Sequence, residues 1–214
     1  IFPLFIVPFM WKTEPYKDKP MRRKILNLCR KLGVVNIRNV FVVKESEKSV
    51  RSNAFFYGIG NQQKMALFDN LLHDFTKDEV ETVVGHELGH YVNRDIIRGL
   101  VLESILIFPI LFIVDYLVGI SAHLFSIPAI TDLASLPLIG LIYGTLGFLL
   151  MPLVNTHSRW MEAQADKFAL NHVQKPVAQI STEKRLADMN MSPLSSHPLI
   201  ELWLFTHPST VRRI

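Results

Sequence analysis

The chain has 214 residues, 49% of them hydrophobic and 20% charged, with a formal net charge of +4; its mean hydropathy is +0.24, between a soluble enzyme and a polytopic membrane protein. The positive excess is modest and no basic residues interleave with aromatics, which argues against nucleic acid as a partner. With 1 cysteine, Cys29, an intramolecular disulfide is excluded, in keeping with a reducing, cytosol-facing location.

In chain order, Ile1 to Trp11 is apolar but too short to span a bilayer. It has no basic stretch before it and no small-residue cleavage site after it. It reads as the end of a membrane helix that begins outside this sequence, which makes the chain a C-terminal piece of a longer protein. Met21 to Leu32 has the spacing of an amphipathic helix, with Cys29 on its apolar stripe, where packing rather than reactivity is expected. Its basic face suits anionic lipid head groups or, equally, water. Asn39 to Lys44, Ser52 to Phe56 and Lys64 to Phe68 read as three short strands of a small sheet.

Thr76-Lys77-Asp78-Glu79 fits a capping box, and Val80, Val83, Val84, Leu88 and Tyr91 then recur at helical spacing. This helix carries Val84-Gly85-His86-Glu87-Leu88-Gly89-His90. Two imidazoles four residues apart share one face and can grip a single Zn²⁺, and Glu87 between them is placed to take a proton from a water at the metal. A catalytic zinc usually has three protein ligands, so a third is expected from another helix. Glu162, in the alanine-rich stretch from Ser158 to Asp166, is the best candidate; a solvated helix carboxylate is its other reading. Asp166, one turn further on the same face, is placed to hydrogen-bond a liganding imidazole and fix its tautomer.

Between these motifs lie two apolar stretches, Ile96 to Val118 and Leu133 to Val154, each long enough to cross a hydrocarbon core of about 20 helical residues. Two crossings return the chain to the side it left, so His86, His90 and Glu162 can meet at one membrane face. The loop from Gly119 to Asp132 has no Lys or Arg, whereas Arg94, Arg98, Arg159 and Lys167 flank the spans, so the site is expected to face the cytoplasm. Glu103 and Asp115 are costly in lipid and are expected to face a bundle interior or wet cavity, or, for Asp115, the far interface.

Ser52-Asn53-Ala54-Phe55-Phe56-Tyr57-Gly58, Met65 to Leu72, the metal helix, Ser158 to Ala169, and Phe205-Thr206-His207-Pro208-Ser209 with Arg213-Ile214 together resemble the Ste24-type CAAX prenyl proteases, zinc metallopeptidases of family M48. The resemblance runs from about Trp11 to Ile214. It implies a mainly α, integral membrane protein: a zincin-like metalloprotease core with a small β-sheet and two transmembrane helices, part of a larger seven-helix protease. The implied division is 1–11 as the end of a membrane helix, 12–95 and 156–214 as the two parts of the protease domain, and 96–155 as a transmembrane hairpin. The implied activity is zinc-dependent removal of the tripeptide after a prenylated cysteine, at the endoplasmic reticulum or a bacterial inner membrane.

Carried over residue by residue, the resemblance supports one Zn²⁺ held by His86, His90 and Glu162, with Glu87 as general base and acid. It also assigns Asn53, with Ala54 and Phe55, to the substrate, His207 to the oxyanion, and Arg213 to the same cleft. The implied partners are a prenylated or membrane-associated peptide and the lipid bilayer. If the Asn53 strand is a sheet edge, a substrate can add to it by main-chain pairing. Tyr91-Val92-Asn93-Arg94-Asp95 also resembles the HtpX-type membrane quality-control proteases, although Phe55 to Gly58 and Leu67 to Leu72 fit the prenyl-protease pattern better. A non-catalytic prenyl-peptide binding module is the remaining alternative.

Overall fold

A computed structural model describes residues 11–58, 63–124 and 133–214, without the side chains of residues 122 and 123. The expected helix tail before Trp11 and the loop at 125–132 lie outside the described residues. The chain divides into two units. The first comprises the described residues of Ile1–Arg94 with Trp160–Ser196 and Pro208–Ile214, and the second comprises those of Asp95–Arg159 with His197–His207.

In the first unit a four-stranded sheet has the order β1-β2-β4-β3, formed by β1 (Thr13–Pro15), β2 (Asn39–Val43), β3 (Ala54–Tyr57) and β4 (Lys64–Phe68). Strands β2 and β4 run parallel, Asn39 opposite Lys64 through Val43 opposite Phe68, while β3 pairs antiparallel with β4, Ala54 opposite Leu67 through Tyr57 opposite Lys64. A strand covered on both faces needs apolar residues without alternation, and Met65, Ala66 and Leu67 of β4 are all fully buried. The three expected strands are present within two residues of their expected ends. The three-residue β1, closed by Pro15, carried no readable pattern.

Helix α1 (Lys19–Lys31) begins two residues before the expected start, because Asp18 accepts from the Met21 N–H and Pro20 sits in the first turn. It buries Met21, Ile25, Leu28 and Cys29 against the sheet. The short α2 (Asp69–Asp74) follows β4 directly, and α3 (Lys77–Asn93) follows with both halves of the Thr76/Glu79 capping box formed. Val80, Val84 and Leu88 of α3 enter the same core; burying side chains of this size contributes about 1.5–3 kcal/mol each. Arg94 adopts a left-handed conformation with φ 57° and ends α3.

The second unit contains α4 (Asp95–Leu124), the part of α5 (Leu136–Val173) up to Arg159, and α7 (Pro198–Leu204). Helices α4 and α5 are long and apolar enough to cross a membrane, and Ile97, Phe108, Phe112, Leu141 and Phe148 are exposed on them. Glu103 and Asp115 are also exposed on α4. Helix α5 has 38 residues without a break, so the second apolar stretch and the Glu162 segment are one helix of about 57 Å. Pro152 cannot donate to Phe148 O, and the Trp203 indole N–H fills that place at 2.9 Å. Asn155 donates to Trp203 O at 2.5 Å, and Arg159 donates to Glu201 O and Phe205 O at 2.7 and 2.6 Å, closing the C-terminal end of α7. The first unit is completed by the end of α5, α6 (Pro176–Met189) and α8 (Thr210–Arg213).

Candidate metal centre

Small residues bring α3 against the end of α5. A Cβ on Gly89 would lie 2.9 Å from the Ala165 Cα, and a Cβ on Gly85 would meet the Val173 Cγ2 at 2.5 Å and the Ala169 Cα at 3.5 Å. Gly85 and Gly89 on one helix face Ala165 and Ala169 on the other, each pair four residues apart, so the backbones meet without intervening side chains. That contact delivers Glu162 to the two imidazoles.

His86, His90 and Glu162 converge, with their ligand atoms all within 4.8 Å of one another. His86 Nε2 and His90 Nε2 are 3.0 Å apart, and Glu162 Oε2 and Oε1 stand 3.3 Å from His86 Nε2 and 3.4 Å from His90 Nε2. Tetrahedral coordination with bonds of about 2.0–2.1 Å sets neighbouring donors about 3.3 Å apart. The donor set and its spacing therefore suit Zn²⁺. His86 Nδ1 lies 2.9 Å from Asp166 Oδ1, which favours the tautomer with a proton on Nδ1 and the Nε2 lone pair turned to the metal position. Burial alone would lower the His86 pKa. The hydrogen bonds to Asp166 and Glu162, with the charges of Glu87 and Glu162, override it and raise the pKa to about 10 in the absence of a cation. The cradle favours positive charge.

Arg213 also reaches this cradle. The resemblance assigned it to the cleft that receives the oxyanion; its Nε and Nη2 donate to Asp166 at 2.8 and 2.7 Å, its Nη1 pairs with Glu183 Oε2 at 2.8 Å, and its Nη2 lies 3.9 Å from Glu162 Oε2. The guanidinium fork therefore braces Asp166 behind His86 and borders the metal position. Glu183 on α6 was not anticipated, since a single carboxylate on a polar helix carries no signal of a distant arginine. Burial pushes its pKa up, against the lowering effect of Arg213.

Glu87 is half-buried, on the helical turn between the two histidines. Among the described residues strand β3 is an edge of the sheet, as the Asn53 reading required, and Phe56 packs against Tyr91, next to His90, at 5.4 Å between ring centroids. Phe68 N–H donates to Asn53 O at 2.9 Å, which fixes the phase of the ladder: Asn53, Phe55 and Tyr57 turn their main-chain groups to β4, and Ala54 and Phe56 turn theirs outward. The outward Ala54 N–H donates to Asn53 Oδ1 at 2.8 Å, so the Asn53 amide is oriented with its NH₂ as the remaining donor. Ala54 is 1% exposed, main chain included, and Phe55 packs on Phe68 and Tyr57. His207 belongs to the second unit, where it is exposed and its Nδ1 lies 2.9 Å from Thr206 Oγ1.

A His-Glu-x-x-His helix, a carboxylate from a second helix and an adjoining sheet edge define the metallopeptidase class of protein. Over residues 15–214 the chain matches the model of Peptidase family M48, and it belongs to that family. It is 30% identical over 218 residues to a protein of Bacillus subtilis (strain 168) named uncharacterized metalloprotease YhfN, covering 100% of this chain and 51% of that one. It is 31% identical over 220 residues to a CAAX prenyl protease 1 homolog of Oryza sativa subsp. japonica, covering 100% of this chain and 51% of the relative. The crystal structure of S. mikatae Ste24p has a similar fold, with a TM-score of 0.84 and 22% identity over 100% of this chain and 53% of that chain. The chain thus spans about half the length of the curated relatives it matches.

Proposed function

We propose that the chain forms the metal-bearing part of a zinc-dependent membrane endopeptidase that hydrolyses the bond after a prenylated cysteine of CAAX-type peptides. The observation that carries this reading is the triangle of His86, His90 and Glu162 donors with Glu87 on the same helical turn and the edge of β3 beside it. The CAAX prenyl protease names of the rice protein and other relatives support the substrate class. A zinc ion held there supplies Lewis-acid polarisation of the peptide carbonyl and lowers the pKa of the attacking water. Glu87 takes the water proton and delivers it to the leaving amine nitrogen. The Asn53 NH₂ and the Phe56 N–H and C=O hold the peptide main chain by adding it as a strand next to Ala54 and Phe55. By resemblance, His207 donates to the developing negative charge on the substrate carbonyl. Asp166 and Arg213 keep His86 in its liganding tautomer. In this reading helices α4 and α5 cross the bilayer, and the arginines and lysine flanking them support a site on the cytoplasmic side.

The test compares farnesylated and unprenylated CAAX peptides with membrane-reconstituted wild type and Glu87→Gln. The variant should keep one zinc per chain and lose turnover about 10²–10⁴-fold. Near-normal cleavage by Glu87→Gln overturns the mechanism. Equal cleavage of both peptides replaces the prenyl specificity with the broader activity of a membrane quality-control endopeptidase, and binding without hydrolysis replaces catalysis with a binding module.

A further inference from the structure

Strand β4 ends at Phe68 and the chain turns at once into α2, but the ladder with the segment entering β3 continues. Asn53 is bonded to Phe68, and two residues further along an antiparallel register Arg51 falls opposite Asn70. Residue 70 is already helical, and its main-chain N–H is taken by Asp69 Oδ1 at 3.0 Å. The Asn70 side chain supplies the absent donor. Its Nδ2 donates to Arg51 O at 3.0 Å and to Ser49 O at 2.8 Å. Asp69 holds the start of the same loop, accepting from the Glu45 and Ser46 N–H groups, each at 3.0 Å, and from the Ser46 hydroxyl at 2.6 Å. Two consecutive side chains thus stand in for a strand over the loop at 45–52.

We infer that Asn70 is a positioning residue for peptide recognition: by holding Arg51 it sets where Asn53 and the outward edge of β3 present their main-chain and amide groups. The inference rests on the proposed reading of that edge as the partner of a substrate. The metal donors ride on α3 and α5, whereas Asn70 acts on the loop that leads into β3. Loss of its donor therefore weakens peptide binding more than it changes the metal or the bond-breaking step.

The experiment measures kcat and KM of the reconstituted protein on a CAAX-type peptide and on the same peptide with N-methylated main-chain amides. Asn70→Asp keeps the shape of the side chain but turns a carboxylate on two carbonyls. It should raise KM about tenfold while kcat stays within about threefold and zinc content is unchanged. Asn70→Ser, which keeps one donor on a shorter arm, should fall between. N-methylation should cost the wild type more than Asn70→Asp, because the variant has already lost part of the same pairing. If Asn70→Asp does not fold, Asn70→Ser carries the same test. An unchanged KM in Asn70→Asp, with a wild type that cleaves, overturns this inference alone, as does a fall in kcat and zinc content that accounts for the whole loss. A wild type that does not cleave overturns both this inference and the reading of the site.

Discussion

Replacing Gly89 by alanine measures how closely α3 must approach α5 for the metal donors to meet. The added Cβ would stand 2.9 Å from the Ala165 Cα, 3.1 Å from the Phe168 Cβ and 3.2 Å from the Ala165 O. The two Ala165 atoms are backbone and a Cβ does not move with its rotamer, so no rotamer change relieves the contact, and the helices must part by about 0.5 Å to restore ordinary van der Waals separation. His90 is the next residue on α3, and Glu162 precedes Ala165 by one turn on α5. Metal–ligand distances tolerate only about 0.2 Å. Overpacking costs about 1–3 kcal/mol, and the higher helix propensity of alanine returns about 1 kcal/mol, so the net loss of stability is about 0–2 kcal/mol. Zinc affinity falls further, by tenfold or more, or about 1.4 kcal/mol. Gly85→Ala is the control: its nearest neighbour at 2.5 Å is a side-chain methyl of Val173, the last residue of α5, and the Ala169 backbone lies at an ordinary 3.5 Å. That methyl can move, so Gly85→Ala should keep zinc affinity within about threefold of wild type. Competition with a chelator reads the affinity, and thermal unfolding reads the stability. Wild-type zinc affinity in Gly89→Ala, or equal damage from both alanines, refutes the reasoning.

Three further outcomes test other parts of the structure. Asp166→Asn removes the carboxylate shared by His86 and Arg213 and should weaken zinc binding about 10- to 100-fold; unchanged affinity would show that His86 needs no orienting partner. Burial pushes the Cys29 thiol up to about 11, so alkylation at pH 8 should be about a hundredfold slower in the folded than in the unfolded protein, and comparable rates would contradict its place in the core. Burial works against an ionised Glu79, but hydrogen bonds from Ser181 and from the Thr76 backbone outweigh it and hold its pKa below the ordinary glutamate range. Its stabilising contribution is complete above the unfolded value of about 4.3 and is lost as pH falls through the lower folded value. Denaturant midpoints between pH 7 and pH 3 should therefore drop more steeply for wild type than for Glu79→Gln, and parallel curves would remove Glu79 from the acid response.

What could be read in the sequence was local or periodic. The Thr76/Glu79 capping box spans one turn, the two histidines share a face by helical geometry, and the strand at Lys64–Phe68 declares itself by an apolar run. The expected approach of Glu162 to the histidines follows in the structure from Gly85, Gly89, Ala165 and Ala169, a small-residue pattern present in both helices but meaningful only once they are known to cross. Contacts made at long separation were not legible. The commitment of Arg213 to Asp166 and Glu183, 47 and 30 residues away, depends on how α6 and α8 return to the end of α5. Asn70 belongs to a motif whose family resemblance was plain, but its use as a substitute for a strand appears only when β4 is seen to stop at Phe68.

Zinc K-edge absorption on purified wild type and Glu162→Gln bears most directly on whether residues from α3 and α5 hold one cation. The expected result is one zinc with two imidazole nitrogens at about 2.0–2.1 Å and a carboxylate oxygen at about 2.0–2.2 Å, with the carboxylate contribution lost in the variant. A sulfur neighbour, or a coordination shell unchanged by Glu162→Gln, would contradict it.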